Sequence, residues 1–216
     1  MEYLKLAAHL NTCANQLLLT GDASQAFGHY RTAIRLLSQC QQVTSDQEND
    51  NDDRARHAIV GQVSLARRCL TEQDMMEKEC FASPVFEFAY HGNDKEQDQD
   101  QELTLNMLAY YSAVLIYNCA VCLHKRGGWS ALQKANTLYN QCIELVQPLI
   151  TEPSTATSCH HYELMACVLR NQANIFYQLN DFSNVKYLMD KVFLLQQQER
   201  MMKSAQSSAN AFAPEA

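Results

Sequence analysis

Apolar positions recur at helical spacing along most of the chain. Between Tyr3 and Leu19 the residues Leu6, Leu10, Ala14 and Leu17 follow one another at steps of three and four, and after a break at Gly21-Asp22 the same rhythm resumes with Ala26, Tyr30, Ala33 and Leu37. This pattern predicts a helix, a tight turn and an antiparallel helix. Arg54 to Lys78 carries Ile59, Val63, Ala66 and Leu70 on one stripe and is read as a third helix. The stretch FASPVFEFAYH, 81–91, changes character. Phe86, Phe88 and Tyr90 alternate beyond Pro84, which predicts an extended segment lying along helices, with no second strand evident to pair with it. A long helix is expected from Leu103 to Lys125, closed by Gly127-Gly128. Another should start at Ser130 and run to Val146, stopping before Pro148. After a loop at 151–158, helices are expected at 160–179 and 182–203, separated by Asn180-Asp181, with 206–216 a flexible tail. The fold class is therefore all-α, five to seven helices forming a single domain over residues 1–205.

Composition sharpens this picture. The chain has 6 glycines and 4 prolines in 216 residues, well below the average usage of roughly 7% and 5%, so few turns interrupt long helices. The formal charge of -7 is concentrated in two runs, DQENDNDD at 46–53 and DKEQDQDQE at 94–102, each with five acids. Both read as solvated insert loops, near 44–53 and 92–102, because such composition buries too little apolar area to offset ordering. Outside them the charges nearly balance. With no basic stripe to displace phosphate counterions, direct nucleic-acid binding is disfavoured. The longest apolar run, LAYYSAVLIYNCAVCL, is about 16 residues and ends at His124-Lys125-Arg126, which is short for the ~18 residues of a membrane span. Membrane insertion is not expected.

Nine cysteines raise the question of a metal or redox site, above all in YNCAVCLHKRGGW, 117–129. The N-terminus lacks a signal-like apolar core, so reduced thiols in the cytoplasm or nucleus are expected rather than a disulfide framework. Cys119 and Cys122 fall in the middle of a helix, with no preceding strand to form a thioredoxin-like site. A zinc site would need further ligands; Cys159, His160 and His161 are the densest group, and their spacing is not that of a finger. No phosphate loop, HExxH or GxSxG occurs. No catalytic residue, cofactor or metal is assigned, and the chain is read as a non-enzyme.

Three hairpins superimpose in sequence: LNTCANQLLLTGDASQAFGHYRTAI, IYNCAVCLHKRGGWSALQKANTLYNQCI and LRNQANIFYQLNDFSNVKYLMDKV. The first places Leu10, Ala14 and Leu17, then Gly21-Asp22, then Ala26, Tyr30 and Ala33. The second places Ile116, Ala120, Leu123 and Gly127, then Ala135, Tyr139 and Cys142. The third places Leu169, Ala173, Phe176 and Asn180-Asp181, then Val185, Met189 and Val192. These marks resemble the tetratricopeptide repeat (TPR) family, over roughly half of the chain and with insertions that break the family period of about 34 residues. The resemblance implies a right-handed superhelix of antiparallel hairpins acting as a protein-protein interaction scaffold, with a partner's peptide or helix in its concave groove. It further implies that first-helix asparagines face that groove: Asn11, Asn15, Asn118, Asn171 and Asn174. A row of asparagines can bond an extended backbone whatever its sequence, since each carboxamide both donates and accepts. Asn15 and Asn118 match the asparagines of the family's carboxylate clamp, but its basic sites carry Asn11, Cys167 and Asn171, so a chaperone-tail receptor is not expected. Two alternatives stand beside the scaffold: a self-occluded assembly subunit in which residues 81–91 cover the groove, and a zinc-binding protein.

Overall fold

The computed structural model describes residues 2–47, 61–68, 85–92, 105–151 and 159–211. Its elements are α1 (Glu2–Leu19), α2 (Ala23–Gln47), β1 (Gly61–Arg68), β2 (Val85–Gly92), α3 (Leu105–Arg126), α4 (Trp129–Thr151), α5 (Cys159–Gln178) and α6 (Phe182–Ala211). The described chain is mostly helical, with one antiparallel strand pair in which Arg67 stands opposite Phe86, Leu65 opposite Phe88 and Val63 opposite Tyr90. It divides within α4 into two compact units, Met1–Leu145 and Val146–Ala216.

The turn chemistry explains the hairpins. Gly21 takes φ +93°, while Asp22 N–H donates to Leu17 O (2.9 Å) and Gly21 N–H to Leu18 O (3.3 Å), the bond pair of a Schellman stop. Asp22 then opens α2 by accepting from Gln25 N–H through its Oδ1 (3.0 Å). The α5–α6 turn repeats this construction. Asn180 adopts φ +59°, Asp181 N–H donates to Phe176 O (2.9 Å), and Asp181 Oδ1 accepts from Asn184 N–H (3.2 Å). One aspartate in each turn thus ends one helix and starts the next.

In the first unit the α2 face Ala26, Tyr30, Ala33 and Leu37 is fully buried, as its periodicity predicts. On α1 the buried face is Leu4, Ala7, Ala8, Asn11, Ala14, Asn15 and Leu18, whereas Leu6 is 47% exposed. The core stripe is therefore rotated from the Leu6–Leu10–Ala14–Leu17 reading, because two asparagines occupy core positions. α3 is buried on almost every side, including Val114, Leu115, Tyr117, Ala120 and Val121. Among the described residues it is the one helix long and apolar enough to cross a membrane, and 72% of that window lies inside the protein, the profile of a core helix. In the second unit Leu164, Val168, Ala173, Ile175, Leu188 and Val192 are buried.

Four sequence expectations are corrected. Gly61–Arg68, inside the predicted third helix at 54–78, is strand β1. Its Val63 and Leu65 also fit a two-residue period, and pairing with β2 decides in favour of the strand. The extended segment therefore does have a strand partner. Helix α4 continues past Pro148 to Thr151, since a proline so near the C-terminus removes one internal bond, and Thr151 Oγ1 donates to the carbonyls of Gln147 (3.1 Å) and Pro148 (3.2 Å). Helix α6 runs to Ala211, beyond the 203 marked by periodicity.

Candidate functional site

Asn11 and Asn15 lie one turn apart on α1, which sets their side chains on one face, and Asn118 comes from the middle of α3. All three are completely buried. Buried carboxamides demand partners, and these converge on the backbone of Phe86 in β2. Phe86 O accepts from Nδ2 of Asn118 (2.8 Å), Asn11 (3.1 Å) and Asn15 (3.2 Å), while Phe86 N–H donates to Asn118 Oδ1 (3.1 Å).

Asn118 thus makes both bonds that a neighbouring residue would make in an antiparallel ladder. Its carboxamide stands in for a third strand. This pairing also fixes its orientation, since a flipped amide would set NH2 against N–H and oxygen against oxygen. With both backbone groups of Phe86 turned to Asn118, Phe86 and Arg67 form a non-hydrogen-bonded pair of the ladder. The remaining amide atoms are linked as well. Asn118 Nδ2 donates to Asn11 Oδ1 (3.0 Å), and Tyr30 OH donates to Asn15 Oδ1 (2.5 Å).

The asparagines grip the backbone, while the side chain of Phe86 is held separately. Val85 and Phe86 are completely buried, and the Phe86 ring meets Tyr117 edge to face with centroids 5.3 Å apart. Tyr117 in turn lies 5.9 Å from the Tyr139 ring, and His124 Nδ1 lies 3.4 Å from Tyr139 OH. Of the five asparagines singled out by the sequence, the structure brings together Asn11, Asn15 and Asn118. Asn171 and Asn174 are buried in the second unit, where Asn174 Oδ1 accepts from Gln178 Nε2 (2.6 Å). Tyr30 and Tyr117, which complete the site, went unrecognised as site residues in the sequence because aromatics at those spacings read as core.

The buried cysteines of α3 and α4 behave as small apolar residues. Cys119 and Cys122 are buried in α3. Burial pushes the Cys119 thiol well above its ordinary range, with a further push from Cys122, and burial drives Cys122 up to about 12 against the pull of Lys125. Neither is a thiolate at neutral pH. Cys142, also buried, donates weakly from Sγ to Ala113 O (3.4 Å). In the native chain we expect iodoacetamide at pH 8 to modify the partly exposed Cys13 while leaving Cys119, Cys122 and Cys142 unmodified until urea is added, as read by peptide mass spectrometry. In the second unit, burial followed by the neighbouring His160 lowers the pKa of His161, favouring a neutral ring. Among the described residues no three His, Cys, Asp or Glu side chains form a group suited to a metal ion.

Comparison with protein-family models, with curated proteins and with solved structures yields no match.

Proposed function

We propose that this chain is a self-occluded helical subunit, TPR-like in its hairpins, that works through protein-protein contacts while its own β2 fills the position a partner peptide would take. The observation that carries this reading is the four-bond grip of Asn118, Asn11 and Asn15 on the Phe86 backbone. A row of asparagines suited to any extended backbone is satisfied by the chain itself, so a partner meets other surfaces. Among the described residues the buried cysteines form no disulfide, which fits a reducing compartment, cytoplasmic or nuclear.

The test adds a synthetic peptide of residues 81–92 to the intact protein and follows the side-chain amide resonances of Asn11, Asn15 and Asn118. The expected result is no shift up to about 100 μM peptide, near the weak end of the micromolar range. Saturable shifts at those amides would restore the open-groove scaffold.

A further inference from the structure

Helix α6 carries an apolar row that its own unit leaves uncovered. Its inner face is buried through Leu188 and Val192, but Tyr187, Leu194 and Met201 are 55%, 57% and 63% exposed. They stand seven residues apart, with Leu194 midway, and two helical turns per step keep them on one stripe. The ammonium of Lys191 sits at the margin of this stripe, 4.5 Å from the Tyr187 ring centroid.

We propose that this row is the interface for a second copy of the chain, pairing α6 with α6 antiparallel about a two-fold axis at Leu194. The spacing itself is self-complementary, which a two-fold interface requires. Leu194 meets the partner's Leu194, and Tyr187 meets the partner's Met201 at both ends. Along the same register Asp190 falls opposite the partner's Gln198 and Lys191 opposite the partner's Gln197, so no like charges oppose. The area suits a weak dimer. At about 200 Å² for a large side chain, the row offers roughly 350 Å² per copy and 700 Å² in all, against about 900 Å² of apolar surface in a standard interface.

A second set of exposed side chains, Phe182, Met189 and Phe193, lies about 120° round the helix and supplies the control. Sedimentation velocity on the full chain across a concentration series measures the association. Wild type is expected to reach twice the 24.6 kDa chain mass with a Kd of about 10 μM. Leu194→Glu should weaken that Kd at least about 100-fold, and Phe193→Glu should leave it within about threefold, both variants keeping wild-type helicity by circular dichroism. A wild type that stays monomeric at about 200 μM would overturn the proposal and leave the row to a different protein. Persistence of the dimer in Leu194→Glu, or its loss in Phe193→Glu, would equally overturn the assigned row.

Discussion

Replacing Asn118 by alanine should lower the unfolding free energy by about 4 kcal/mol, measured by urea titration, because the change strands two buried groups at about 1–3 kcal/mol each and leaves a small cavity. Phe86 N–H loses its acceptor and Asn11 Oδ1 its donor. Phe86 O keeps Asn11 and Asn15, so it is not orphaned. Asn118→Asp tests the direction of the bonds. A carboxylate accepts from Phe86 N–H but sets negative charge against Phe86 O, and burial beside that carbonyl raises its folded-state pKa. A raised folded pKa means the unfolded state releases its proton first as pH rises, so this variant loses stability relative to wild type from about pH 4 upward. In acid the neutral carboxyl regains a donor, and the deficit shrinks.

Phe86→Ala should cost about 3–5 kcal/mol for a different reason, the loss of a fully buried ring packed on Tyr117. Every backbone bond to the asparagines survives this change. The two variants therefore separate backbone capture from side-chain packing. Because both act on one site, the double variant should lose less than the two single losses added together. Equal unfolding transitions for Phe86→Ala and wild type would mean that β2 does not belong to the core.

How much of this was legible in the sequence depended on whether the physics was local. The α1–α2 and α5–α6 turns were readable because Gly21-Asp22 and Asn180-Asp181 carry their conformational demands within a few residues. The α2 face was readable because Ala26, Tyr30, Ala33 and Leu37 are uniformly small or apolar. The α1 face was misread for a reason that bears on the site. Asn11 and Asn15 are buried only because Phe86, over 70 residues away, supplies an acceptor, and hydropathy counts each as a surface residue. The interrupted stripe then appeared to rotate onto Leu6, Leu10 and Leu17.

The same long-range pairing hid β1. Val63 and Ala66 fit a helix stripe while Val63 and Leu65 fit a strand alternation over so short a run, and only the partner β2 breaks the tie. The asparagines themselves were legible as a set through their positions beside Ala14 and Ala120. That they would close on the chain's own backbone was legible only as one alternative among three, since nothing local distinguishes an internal strand from a visiting peptide.

The most direct test is amide hydrogen exchange at Phe86 in the full-length protein. Its N–H, buried and donated to Asn118 Oδ1, should exchange at least about 1,000-fold more slowly than an exposed amide, corresponding to an opening free energy of roughly 4 kcal/mol. Asn118→Ala should remove most of that protection. Exchange of the wild-type Phe86 amide at the rate of an unstructured chain would contradict the account, because the asparagine cluster would then stand open to a partner.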